Sequence, residues 1–212
     1  MNWKQTNKAK MNVEDIISQL QLPITINAPE QSPGAAMRVV ENKIFFYDSL
    51  VDESVLELNR ILLETDIKLQ NTKILLGDSF DPVIHLHIKT PGGEIHSAVS
   101  TVDLIRTLKS KVYTYIDGCV ASAGTLISIV GNKRYMGKYS NLLIHQLSAE
   151  MYGTFSEIED TMENCTNMMK FVKSFYKEYT KIPMKKLEEI LKHNLWMTAE
   201  ECLQYGIIDE IL

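Results

Sequence analysis

Cysteine is scarce in this sequence. Its three cysteines, Cys119, Cys165 and Cys202, are odd in number and far apart. No CxxC pair exists, so neither a disulfide framework nor a cysteine-rich zinc site is expected, and a reducing cytoplasm is the expected compartment. Excess positive charge is also lacking: 22 Lys and Arg stand against 27 Asp and Glu, a net charge of −5. That balance offers no field for nucleic acid and no polybasic patch for a membrane surface. No apolar run approaches the roughly 20 residues of a transmembrane helix. The opening Met-Asn-Trp-Lys-Gln-Thr-Asn-Lys lacks the apolar centre of a signal peptide, and Lys4, Lys8 and Lys10 read as a solvated tail. A Walker A pattern is missing, so no nucleotide site is expected. What remains is a chain of 212 residues, 45% hydrophobic, suited to one globular domain with a sizeable core.

In chain order, residues 1–12 are polar, and Val13, Ile16, Ile17 and Leu20 are spaced for a short amphipathic helix. Pro23, Pro29 and Pro33 then favour extended chain. Asn42–Leu50 reads as the first core strand. Asp52 is expected to cap a helix with Val55, Leu58 and Leu62 inward. A polar connection is expected over 65–81, with Lys73–Leu76 as a small extra element. The strand Val83–Ile88 leads to Thr90-Pro-Gly-Gly93, followed by a helix facing inward through Ile95, Ala98, Val99, Val102, Ile105 and Leu108. A strand over 111–116, a turn, a helix over 122–130, and short strands at 133–136 and 142–146 complete a central unit. Alternation of strand and helix predicts parallel pairing with right-handed crossovers.

Further on, Thr154-Phe-Ser-Glu157 is a capping box. It opens a long helix with Ile158, Met162, Cys165, Met169, Val172, Tyr176 and Tyr179 on one stripe, better read as packing than as a cofactor box. Pro183 opens another helix, Thr198-Ala-Glu-Glu201 is a second capping box, and Ile207–Leu212 is a terminal strand.

Chemistry concentrates around Asp117-Gly-Cys-Val-Ala-Ser122-Ala-Gly124. A serine at a strand-to-helix turn lies beside backbone N–H groups free to hold developing negative charge. One such stretch alone is more often a tightly packed turn. Here it comes after a glycine pair and before a strand-borne histidine: Pro91-Gly92-Gly93, Ala121-Ser122-Ala123-Gly124 and Ile144-His145-Gln146. Ser122 comes 29 residues after Gly93 and 23 before His145. In these motifs and intervals the sequence resembles the ClpP family, the proteolytic subunit of Clp proteases, from about Lys43 to Leu212. The first forty residues lack the family's N-terminal pattern, giving a division into a divergent segment 1–40 and a peptidase domain 41–212.

The resemblance implies an α/β, ClpP/crotonase-type fold with stacked, partly parallel sheets and a protruding handle helix, matched by the helix after Thr154. It implies a serine endopeptidase acting on unfolded polypeptides, with Ser122 as nucleophile and His145 as base. The backbone N–H groups of Gly93 and Ala123 would form the oxyanion hole. No metal or cofactor is implied. The implied partners are copies of the same chain, in heptameric rings stacked in pairs, and a hexameric AAA+ unfoldase. The family's acid falls 49 residues after its histidine, where this sequence has Asn194. An amide oxygen can accept from the imidazole N–H but offers no charge to the imidazolium. In a serine protease of another fold, Asp-to-Asn cost about ten-thousandfold in turnover. A Ser122–His145–Asn194 site of weakened or switched activity is therefore expected, with a silent structural ring subunit as the alternative.

Other readings fit less well. A hydrolase elbow needs glycine two positions before the serine, where Val120 stands. A crotonase-type acyl-CoA enzyme shares the fold but needs no Ser–His pair. A Ser–Lys peptidase leaves His145 without a role, and a phage-type maturation protease is a variant on the same fold. His85 and His87 share one face of a strand and, lacking a ligand set, read as satisfied strand histidines rather than a metal pair. His96 and His193 fall in helical stretches and read as solvated.

Overall fold

A computed structural model describes residues 37–212; the helix expected over Val13–Leu20 and the prolines after it lie outside them. Strand β1 (Met37–Val40) turns through Glu41, whose φ is 57°, to pair antiparallel with β2 (Lys43–Phe46). From β2 onward every sheet pairing is parallel: β3 (Val83–Thr90), β4 (Lys111–Ala121), β5 (Lys133–Met136), β6 (Asn141–Leu143) and β7 (Glu210–Ile211). The order is β1-β2-β3-β4-β5-β7, with β6 branching from β4. β5 pairs with Tyr113–Ile116 and β6 with Cys119–Ala121. The expected layering thus takes the form of a mixed sheet that forks along one long strand. The expected terminal strand shortens to β7, while Ile207 and Ile208 are buried.

Period-2 alternation gives the sheet two unlike faces. Ile84, Leu86 and Ile88 of β3 are fully buried and stand opposite Val112, Thr114 and Ile116 of β4. The intervening His85 and His87 stand opposite Tyr113 and Tyr115 on the other face. The apolar face is covered by α1 (Asp52–Leu76), α2 (Ile95–Thr107) and α3 (Gly124–Ile129), which with β2–β5 form three βαβ crossovers. Long α4 (Phe155–Tyr179) buries Val172, Phe175 and Tyr176 near its end, whereas Phe155, Ile158 and Met162 near its start are exposed. Its apolar stripe therefore runs out from the core onto a protruding half. Short α5 (Met184–Ile190) and α6 (Ala199–Gln204) complete the helices. The capping boxes at Thr154 and Thr198 both form, each hydroxyl accepting from a backbone N–H three residues on.

Three local expectations need correction. Asp52 is not a cap: it is the first helical residue, and its carboxylate accepts from Ser97 Oγ at 2.6 Å. The Val51 N–H donates instead to Ser54 Oγ. The connection expected over 65–81 is mostly helix, since α1 continues to Leu76. Thr65, Asp66 and Leu69 prolong its buried stripe, and Asp66 accepts from the Ser110 N–H at 2.7 Å, fixing the start of β4. A buried polar residue in mid-helix thus looked like a loop signal. The strand expected to stop at Ile116 runs on to Ala121.

Candidate active site

That extension sets the site. Ile88 pairs with Ile116 but Thr90 with Val120, so β4 carries a bulge at Asp117–Cys119, with Gly118 at φ 67°. Ser140 Oγ accepts the Gly118 N–H at 2.9 Å. Bulges bend a strand and re-aim the side chains beyond the bend. Past the bulge, β4 pairs with β6, and both strands end at the same edge as β3. Parallel strands present their C-terminal ends together, where ligands of open α/β sheets characteristically bind. The ends here carry Gly92 and Gly93 (β3), Ser122 (β4) and His145 (β6).

Ser122 holds a left-handed backbone, φ 55°, one of only two described non-glycine residues with positive φ. For an L-residue this conformation costs about 1–3 kcal/mol. Its N–H donates to the Leu143 carbonyl at 2.9 Å, which locks β4 to the strand leading to His145. Its own carbonyl accepts from the Thr125 N–H at 3.0 Å and from Thr125 Oγ1 at 2.6 Å. Thr125 Oγ1 also meets the hydroxyl of buried Tyr176 from α4. Burial pushes the Tyr176 hydroxyl up to about 12.

Gly93 is fixed as glycine by the backbone beside it: a Cβ there would stand 2.1 Å from the Leu50 carbonyl oxygen. The Leu50 N–H donates to the Gly92 carbonyl and the Glu94 N–H to the Leu50 carbonyl, both at 2.8 Å. The chain crosses Leu50 so closely that only glycine fits. Neither the Gly93 nor the Ala123 N–H donates to another described residue.

Ser122, His145, Gly93 and Ala123 line a single cavity of about 480 Å³, walled also by Leu126, Val172 and Tyr176. Asn194 does not line it and is exposed. Two tethers nevertheless bracket it. Leu142 and Met197 exchange backbone hydrogen bonds, and the Gln146 N–H donates to the Leu191 carbonyl. The segment 191–197 therefore runs beside 142–146, bowed outward, with Asn194 and His145 on facing stretches. Among the described residues, Ser122 Oγ, His145 and Asn194 form no side-chain hydrogen bond with one another.

The other histidines lie elsewhere. His87 Nδ1 is 2.9 Å from Asp117 Oδ2, an acidic partner the spacing had not suggested, and its ring stacks between Phe45 and Tyr115. His85 Nδ1 is 2.7 Å from the Tyr115 hydroxyl; burial first, then His87 and Lys43, hold its imidazole below the usual range. His96 and His193 are exposed. Among the described residues no cluster of three or more His, Cys, Asp or Glu could hold a metal ion. No described helix is long and apolar enough to cross a membrane. The sequence places Tyr176 on the packing stripe of the long helix but gives its hydroxyl no partner, and nothing local singles out Thr125; the one signal was a hydroxyl on the inward face of a stripe read as packing.

Compared with known proteins, the Clp protease family model matches residues 40–212. Similar curated proteins include an ATP-dependent Clp protease proteolytic subunit of Deinococcus radiodurans, 27% identical over 187 residues that cover 86% of each chain. The ATP-dependent Clp protease proteolytic subunit 2 of Chlamydia muridarum is 30% identical over 176 residues, covering 81% of this chain and 87% of that one. The protein of the same name from Thermobifida fusca is 28% identical over 179 residues, 84% of each.

Proposed function

The chain belongs to the Clp protease family, and from that premise we propose that it is a ClpP-like serine endopeptidase using Ser122, His145 and Asn194. The observation that carries this reading is the strained Ser122 at the end of β4, sharing one cavity with His145 and two unengaged N–H groups. His145 takes the proton from Ser122 Oγ as the oxygen attacks a peptide carbonyl. The Gly93 and Ala123 N–H groups receive the oxyanion. His145 then protonates the leaving amine, and water hydrolyses the acyl-enzyme by the same route. Asn194 accepts the second imidazole N–H when the 191–197 segment closes inward. Catalytic hydrogen bonds often tighten only around substrate. Because the amide offers no charge, turnover is lower than an aspartate would give.

The proposal extends to assembly. Exposed Phe155, Ile158 and Met162 on the protruding half of α4 form an apolar strip of the kind that pairs between copies. We assign it to contacts between two stacked heptameric rings enclosing a chamber in the cytoplasm. A hexameric AAA+ unfoldase feeds the chamber and supplies the ATP dependence named in the relatives. The division into segment 1–40 and domain 41–212 belongs to the same reading.

Steady-state cleavage of a short fluorogenic peptide, with sedimentation velocity in parallel, tests it. Wild-type rings should cleave, Ser122→Ala should abolish turnover and His145→Ala nearly so, and ATP with a Clp-type unfoldase should permit degradation of folded substrates. Wild-type rate in Ser122→Ala overturns the peptidase reading, and a monomer at micromolar concentration overturns the ring. A second reading, a silent structural ring subunit, is favoured by the exposure of Asn194 and its lack of a bond to His145. Intact rings without cleavage would establish it.

A further inference from the structure

We propose that Thr125 and Tyr176 are positioning residues for Ser122, tying the serine turn to the seating of α4. The proposal rests on the serine peptidase reading for its catalytic consequence, but not for the structural link itself. Ser122 sits in a conformation an L-residue resists, so its neighbours must hold it there. Its carbonyl accepts two hydrogen bonds, both from Thr125, through the backbone N–H at 3.0 Å and the hydroxyl at 2.6 Å.

A threonine hydroxyl has one hydrogen. If that hydrogen goes to the Ser122 carbonyl, Thr125 Oγ1 meets the Tyr176 hydroxyl as an acceptor. Tyr176 is 3% exposed, and its hydroxyl has no other hydrogen-bond partner among the described residues. The opposite direction would strand its hydrogen in the core, which is costly. One assignment satisfies both groups: Tyr176 O–H donates to Thr125 Oγ1, and Thr125 O–H donates to the Ser122 carbonyl. Thr125 itself is fully buried, so water cannot substitute for either bond.

The link matters because of where its far end lies. Tyr176 belongs to the buried end of α4, whose other half stands clear of the core. A tilt of α4 moves the Tyr176 hydroxyl, loosens the Thr125 hydroxyl and frees the Ser122 carbonyl. The peptide plane that this carbonyl shares also carries the Ala123 N–H. Release of Ser122 therefore disturbs the direction of that donor as well as the serine side chain.

Three substitutions separate the possibilities. Tyr176→Phe removes one oxygen and keeps the ring; Thr125→Val removes the hydroxyl at constant shape; Thr125→Ser keeps it. Two quantities are read on the assembled full chain: kcat and KM for the fluorogenic peptide, and hydrogen exchange of the Thr125 N–H, which is bonded to the Ser122 carbonyl. Tyr176→Phe should lower kcat about tenfold, equivalent to about 1.4 kcal/mol of barrier, with KM within about twofold. Thr125→Val should lower it further and Thr125→Ser should restore it. Exchange at Thr125 should quicken about tenfold in Tyr176→Phe and Thr125→Val while the melting transition stays cooperative. Unchanged exchange in Tyr176→Phe overturns the link whatever the kcat. Faster exchange with unchanged kcat in an active enzyme overturns the positioning role. If the wild type does not cleave yet exchange responds, the peptidase reading fails and the link stands.

Discussion

A Cβ atom placed on Gly92 would stand 2.6 Å from the Cβ of Ser122. The glycine pair after β3 and the serine after β4 are thus packed backbone against side chain, and neither turn can shift alone. Gly92 also holds φ 94°, which a side chain resists. The same hypothetical Cβ would lie 2.7 Å from the Ala121 carbonyl oxygen and 3.2 Å from the Ala123 nitrogen, both backbone atoms with little freedom to retreat. Gly92→Ala is therefore expected to destabilise the fold by about 2 kcal/mol or more and to lower kcat at least about tenfold. Thermal unfolding together with peptide cleavage checks this. An alanine variant with native stability and rate would mean that the two turns are not locked.

Asn194 faces the His145 stretch between the tethers at Leu142–Met197 and Gln146–Leu191. If it orients the imidazole through its amide oxygen, Asn194→Asp adds the missing charge while conserving shape. Peptide turnover should then rise about tenfold or more, each tenfold being about 1.4 kcal/mol of barrier. KM should change little, because the cavity lining is untouched. An unchanged rate in intact assemblies would show that another group orients His145 or that its orientation is not limiting.

Arg134 clasps Asp209 from the neighbouring chain end. Its backbone N–H and Nε reach Oδ2 at 2.9 and 3.0 Å, and Nη2 reaches Oδ1 at 2.6 Å. Hydrogen bonding to the Arg134 guanidinium holds the Asp209 carboxyl below the usual range. A carboxyl depressed on folding stabilises the native state above its unfolded value of about 3.9, and the contribution disappears as pH falls through the lower folded value. Asp209→Asn should therefore be less stable than wild type at pH 7, with the gap closing below about pH 4. Urea unfolding from about pH 2 to 6 reads this out. A gap independent of pH would assign the effect to packing.

Much of this arrangement was legible in the sequence because its signals are short-range. The alternation in Val83–Ile88 announced a strand with one buried face, and the capping boxes at Thr154 and Thr198 announced helix starts within a residue. Gly92-Gly93, Ser122 and His145 were legible as motifs at set intervals. What escaped depends on contacts between distant segments. Thr65 and Asp66 looked like loop residues because their inward position shows only once Ser110 is seen to need an acceptor. Gly118 looked like the start of a turn because a bulge differs from a turn only by whether the strand resumes, and β6 decides that here. Gly93 is glycine on account of Leu50, 43 positions earlier. The bond from Tyr176 to Thr125 spans 51 positions, and no local pattern marks it.

The central claim is that Ser122 is a nucleophile. An unassisted serine hydroxyl reacts slowly with electrophilic phosphonates, whereas one with a base and preorganised N–H donors reacts readily. The most direct test is to treat the assembled protein with a fluorophosphonate and locate the adduct by peptide mass spectrometry. One adduct is predicted, on Ser122, lost in His145→Ala and formed faster in Asn194→Asp. No adduct on intact rings, or an adduct on a different serine, would contradict the claim.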